Sequence, residues 1–217
     1  MIDKRINEIK NRIKELDEKY HQCSRTKKPC EKCDNCNSNH EERLNCRYEI
    51  RRLENITIPE EYKNAEIESG LLQNINENRN IWFYGESGTG KTYSCYAYYI
   101  YSKINRLEIS IIHEKDIIEN YEEYQDRDIL IIDDIGTELD KFRKEKAYSN
   151  YFYLVDYRNS KAKKTIFTSK YDLENWIIQI ATVNKELATS IYSRLNTFKY
   201  IQKFEGEDKR LKIKDER

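Results

Sequence analysis

The chain has 217 residues, room for one mid-sized domain and a small appendage. Charge is high at 36% of residues but balanced, 39 Lys and Arg against 39 Asp and Glu, which excludes a polyelectrolyte and makes any basic surface local. No stretch approaches the roughly 20 apolar residues of a membrane span, and the opening "MIDKRINEIK" has no apolar signal run, so a cytoplasmic protein is expected.

In chain order, Ile2, Ile6, Ile9, Ile13, Leu16 and Tyr20 alternate steps of four and three. This spacing predicts a helix with one narrow apolar seam, suited equally to self-association as a short coiled coil or to packing on its own domain. Five of the six cysteines then fall between Cys23 and Cys46. In a reducing compartment such clustering points to metal ligands before disulfides. Cys30, Cys33 and Cys36 stand at Cys-x₂-Cys spacing, and Cys46 is the expected fourth ligand of a tetrahedral Zn²⁺ site, with Cys23 and His40 in reserve. An iron–sulfur cluster on the same thiolates, or unliganded structural thiols, are the alternatives. A second helix is expected from about Glu41 to Glu54. Residues 1–55 are thus expected to form a small helical, Cys-rich domain, to which the family resemblance given below assigns partner binding, and 56–77, with Pro59 and little periodicity, a linker.

From residue 78 to 217 strands and helices alternate. "NIWFY" predicts a buried strand, Lys91 to Ile104 a helix, "RLEISII" a strand and "EKDIIENYEEY" a helix. "DILIID" predicts a strand, Lys141 to Arg158 a long helix and "KTIFTS" a strand. Helices around Asp172 to Ile180 and Lys185 to Leu195 precede a last strand, "FKYIQKF". The expected fold class is α/β, a parallel sheet covered by helices on both faces.

"GESGTGKT" (Gly85, Glu86, Ser87, Gly88, Thr89, Gly90, Lys91, Thr92) fits G-x-x-x-x-G-K-[ST] at every fixed position, between a strand and a helix. Such a loop wraps phosphates with backbone N–H groups. Lys91 is placed for the β- and γ-phosphates of ATP, Thr92 for Mg²⁺, and Tyr93 for the adenine. "DILIIDDIG" is a strand ending in two carboxylates. Asp133 is expected to hold Mg²⁺ at the sheet's C-terminal edge and Asp134 to polarise the attacking water.

The series "GESGTGKT", "ILIIDDIG", "IFTSK", "YSRL" and "GEDKR" resembles the AAA+ ATPases of the bacterial replicative helicase-loader group, DnaC- and DnaI-like and related to the transposition helper IstB, over about residues 56 to 212. The resemblance implies an arginine finger at Arg194, acting on a nucleotide held by a neighbouring subunit, and a second sensor at Arg210. It also implies a first sensor in "IFTSK", where Lys170 replaces the usual Asn and leaves Thr168 or Ser169 to act. With Asp134 one methylene shorter than the usual Glu, slow hydrolysis is expected. The group commonly lacks a full C-terminal lid, as expected here. His113 to Asp128 is short for the extra DNA-holding helix of that group.

Residues 141 to 170 carry nine Lys or Arg against two acids, interleaved with Phe142, Tyr148, Tyr151 and Tyr153, a pattern suited to single-stranded DNA. The expected function is an ATP-dependent loader that binds a replicative DNA helicase, self-associates through its ATPase domain and touches single-stranded DNA. The alternatives are an IstB-like transposition helper, and a nucleotide-gated helicase-binding or inhibitory module with little hydrolysis.

Overall fold

The computed structural model describes residues 1–23, 34–136, 141–197 and 199–208, without the side chains of 19–23, 34–37 and 141–143. The chain divides into two compact units, residues 1–64 and 65–217. Among the described residues no helix is long and apolar enough to cross a membrane.

In the first unit α1 (Ile2–Cys23) packs on α2 (Asp34–Glu54). The predicted seam is used inside the chain: Ile6, Ile9 and Leu16 of α1 and Leu53 of α2 are buried. Arg12–Glu42 (2.8 Å) and Arg43–Asp17 (2.7 Å) join the two helices. These partly exposed pairs set register more than stability. The second helix starts at Asp34, not near Glu41, so Cys36, His40 and Cys46 all stand on α2. That corrects the expected metal set. Cys46 follows Cys36 by ten residues on one helix, roughly 15 Å along its axis, too far for both to share one ion. Among the described residues Cys46 is a half-buried free thiol, pushed up by burial and by Glu42, with Arg12 and Arg5 acting the other way.

The second unit opens on α3 (Ser69–Glu77), a helix where a linker was expected. Its Ile75 is fully buried against Ile81, Phe83 and Ile166, worth about 2 kcal/mol. The Lys164 ammonium donates to the carbonyls of Ile75, Asn76 and Asn78, closing the helix end. Burial pulls Lys164 down to about 8.

The sheet comprises β1 (Asn80–Tyr84), β2 (Ile109–His113), β3 (Ile129–Ile135), β4 (Lys164–Ser169) and β5 (Lys199–Lys203), all parallel, in the order β2-β3-β4-β1-β5. The helices between them are α4 (Lys91–Ile104), α5 (Glu114–Asn120), α6 (Lys141–Ser160), α7 (Leu173–Ala181) and α8 (Lys185–Leu195). Alternation sends successive side chains to opposite faces. Ile81, Phe83, Ile129, Ile131 and Ile166 meet Ile75, Cys95 and Tyr98 on the side of α3 and α4. Trp82, Leu130, Ile132 and Phe167 meet Tyr151, Leu154, Trp176 and Ile191 on the side of α6, α7 and α8. The segment after β2 forms the two-turn α5 and a 3₁₀ turn, Tyr121–Glu123, where one helix to residue 124 was expected.

Candidate nucleotide site

β1 ends at Tyr84, and the glycine-rich loop turns from it into α4 with Gly90 in the left-handed region (φ 109°) at the helix start. Gly85 must be glycine. Its φ is 140°, and a Cβ there would lie 2.1 Å from the Phe204 carbonyl, because the chain leaving β5 runs beside the loop. Gly88 faces the Asp208 carboxylate as closely, with its Cβ position 1.9 Å from Oδ1. Lys91 is only 9% exposed. Its ammonium donates to the carbonyls of Gly85 (2.6 Å) and Glu86 (2.8 Å), which holds the charge inside the loop. The Thr89 hydroxyl donates to Glu86 O at 2.8 Å, stiffening the turn, while Glu86 and Ser87 are exposed on its rim.

The two carboxylates follow from parallel register. β3 lies next to β4, and β4 next to β1, so Asp133 comes beside the first turn of α4. Asp133 is buried and accepts from the Thr92 hydroxyl (3.1 and 3.2 Å) and from the Thr168 hydroxyl (2.6 Å). Thr168 in turn accepts the Asp134 N–H at 2.8 Å. Asp134 is exposed at the sheet edge with φ 59°. Thr92, Asp133 and Thr168 present only oxygen atoms, the donor class of a hard divalent cation. Beneath them Cys95 is fully buried, its thiol pushed well up by burial and by the Asp133 charge.

Several expected residues stand elsewhere. Ser169 is fully buried, donates to Ile135 O (3.0 Å) and accepts from Tyr171 N (3.1 Å), so its hydroxyl braces the strand end and does not face the phosphate loop. Lys170 is exposed, its ammonium 4.9 Å above the Tyr171 ring. It lines an open cavity of about 370 Å³ together with Gly85, Glu86, Thr89, Lys203 and Phe204. Tyr93 is 40% exposed, and its hydroxyl accepts the Glu66 N–H at 3.3 Å, so the segment before α3 lies beside α4. Arg194 stands apart. Its carbonyl accepts from Asn80 at the start of β1, the sheet end opposite the loop. Its side chain binds Asp156 (2.6 Å) and Ser190 O (3.0 Å) and covers the Phe152 ring at 4.5 Å. Cys30, Cys33 and Arg210 lie outside the described residues, as does the side chain of Cys36. Among the described residues no group of three or more His, Cys, Asp or Glu could hold a metal.

The basic region also contracts. Arg158 is fully buried, Lys164 closes α3, and Lys163 binds Asp126 O (2.5 Å) and Asp128 (3.4 Å). Tyr148 and Tyr151 pack on Trp176 in the core. Among the described side chains of the region, Tyr153, 56% exposed and stacked on Tyr121, is the exposed aromatic, and Lys146 and Lys161 are exposed as well. Glu114, buried at the start of α5, is a polar residue that periodicity did not single out. Its signal is only a Glu directly after a strand at the phosphate end of the sheet.

A family model described as RNA helicase matches residues 81–173, from β1 through the loop and both carboxylates to the first residue of α7. It spans under half of the chain. No curated protein matches. Among solved structures the chain is similar to DnaI (TM-score 0.54, 16% identity, covering 70% of this chain and 93% of that one). It is similar also to a DNA replication initiation factor (0.51, 20%, covering 75% of this chain and about half, 52%, of that one). A third similar structure is a protein assigned as a primosome component of Streptococcus pyogenes serotype M3 (0.50, 18%, 70% and 91%). At these identities the likeness is one of fold. The phosphate loop after β1 and the carboxylate pair on β3 thus stand in a parallel-sheet fold that the chain shares with DnaI, the replication initiation factor and the primosome component.

Proposed function

We propose that the chain binds and slowly hydrolyses Mg²⁺-ATP and uses the cycle to load a replicative helicase onto single-stranded DNA. The observation that carries the ATPase reading is the continuous set Thr92–Asp133–Thr168–Asp134 beside the buried ammonium of Lys91. The loop's N–H groups and Lys91 bind the phosphates. Thr92 and Asp133 would hold Mg²⁺, which neutralises charge on the β- and γ-phosphates. Asp134 orients water toward the terminal phosphate. Arg194, at the far sheet end of its own subunit, would reach only the nucleotide of a neighbour, which makes turnover depend on assembly.

The loader role is supported by the fold shared with DnaI and the primosome component and by a separate N-terminal helical unit available to a partner. An Asp134→Asn variant, designed to retain ATP, is expected to capture the replicative helicase from a lysate and to lose it when residues 1–64 are removed. Capture of a transposase instead moves the chain to the helper class. The second reading, a nucleotide-gated module with little hydrolysis, is favoured by Lys170 standing where a neutral amide is usual, and by the buried Ser169.

If Cys30, Cys33 and Cys36 hold Zn²⁺, the fourth ligand on α2 is His40, which follows Cys36 by four residues on the same helix face. Metal analysis should find zinc in the purified protein, unchanged by Cys46→Ser and reduced by His40→Ala. Loss of the metal in the Cys46 variant alone would reverse that choice.

A further inference from the structure

The turn carrying Asp134 is held in an unusual conformation by groups outside it. The β3–β4 register shifts between Ile132 and Ile135. Asp134 and Gly136 take φ of 59° and 80°. A left-handed non-glycine residue costs roughly 1 kcal/mol or more, so the conformation persists only where its surroundings impose it. Three side chains do so. Thr168 accepts Asp134 N–H (2.8 Å), Ser169 donates to Ile135 O (3.0 Å), and Glu114 Oε1 accepts Gly136 N–H (3.1 Å). Thr168 and Ser169 sit on the neighbouring strand, as sheet pairing requires. Glu114 comes from another layer. It is the first residue of α5, 3% exposed, and the same oxygen accepts the Tyr151 hydroxyl of α6 at 3.3 Å.

A carboxylate so deeply buried is costly unless hydrogen-bonded, and an apolar residue would pack there with no such penalty. What the carboxylate adds is a fixed acceptor for the Gly136 N–H. We propose that Glu114 is a positioning residue for hydrolysis, holding the Asp134 turn against α6 so that the Asp134 carboxylate meets the attacking water. The proposal rests on the ATPase reading. The Glu114 carboxylate bonds Gly136 and Tyr151, behind the turn, while Asp133 beside the phosphate loop is held by Thr92 and Thr168. Its loss therefore acts on the chemical step and spares nucleotide binding. A displacement of about 1 Å at such a group is enough to cost on the order of 100-fold in rate.

The test is steady-state ATP hydrolysis by the full chain with Mg²⁺ and single-stranded DNA. Glu114→Met keeps the length and apolar packing but removes the acceptor, and Glu114→Gln keeps an acceptor oxygen. The Met variant should lose about tenfold or more in kcat, with KM within about threefold of the unsubstituted chain. The Gln variant should recover most of that loss. Unchanged kcat in the Met variant, or a raised KM with kcat intact, overturns the proposal. Should the Met variant fail to fold, Tyr151→Phe frees the carboxylate from α6 and is expected to lower kcat several-fold at constant KM; an unchanged kcat there overturns it too. Absence of turnover by the unsubstituted chain overturns the ATPase reading itself, and this inference with it.

Discussion

Replacing Lys91 with alanine is expected to abolish nucleotide binding, raising the Kd for Mg²⁺-ATP by at least about 100-fold, or about 2.7 kcal/mol. The size follows from where the charge sits. Lys91 as a whole is 9% exposed and its ammonium is held by two carbonyls of its own loop, so little water screens it. A triphosphate entering the loop brings several negative charges to this cation. The backbone N–H groups and the helix N-terminus supply only partial charges in its place. The fold should survive, because Gly85 and Glu86 O lie at the edge of a cavity where water replaces the lost donor. Calorimetric titration with ATP, alongside thermal melting, separates the two effects. A Kd within about threefold of the unsubstituted chain, with folding intact, would remove the phosphate-binding assignment of the loop.

The second large effect is on stability. Arg158→Met should destabilise the α/β unit by about 4 kcal/mol or more, enough to consume much of the 5–15 kcal/mol typical of a domain. The Arg158 side chain is fully buried, and its guanidinium serves five acceptors. Nε donates to the Thr165 hydroxyl (2.8 Å), and Nη1 to Gln125 O (3.0 Å) and Arg127 O (2.7 Å). Nη2 donates to Lys164 O and, at 3.5 Å, to Asp128 O. One side chain of α6 thus ties the approach to β3 to the start of β4. Burial pulls the guanidinium down to about 10, against the pull of Asp128 and Asp126, and it stays charged at neutral pH. Methionine fills the volume but strands carbonyls away from water, and lysine could serve at most three of the five. Urea unfolding of Arg158→Met beside Lys161→Met, an exposed neighbour, measures the difference. A loss under about 1 kcal/mol at position 158 would mean that water reaches those carbonyls.

The contrast between these two cations shows where sequence reading stops. Lys91 is defined by its neighbours in the chain, and its role is local. Arg158 was counted with a basic surface because its partners lie 30 to 33 residues upstream and six or seven downstream, a relation that only the sheet creates. The helix α3 is a similar case. Nine residues with one buried isoleucine carry too weak a periodicity to declare a helix, and its end is closed by Lys164 from β4. Ser169 illustrates the reverse error. Its neighbour Thr168 bonds both carboxylate-bearing residues, but strand alternation turns Ser169 the other way, to the Ile135 carbonyl.

By itself the sequence determined the phosphate loop, the strand that carries Asp133 and Asp134, the five strands of the sheet and most of its helices. These depend on spacings of a few residues: a period of two, a period near 3.6, and glycines where the backbone must turn back on a ligand. The tertiary structure alone decided which polar side chains face the site. It put Thr168 between the two aspartates and Glu114 behind their turn. It also left Arg194 at the opposite end of β1, and carried Cys46 about three helical turns from Cys36. Those outcomes depend on strand order and on which side chain a neighbouring element meets. Contacts between residues far apart in the chain are set by packing, and no local pattern records them.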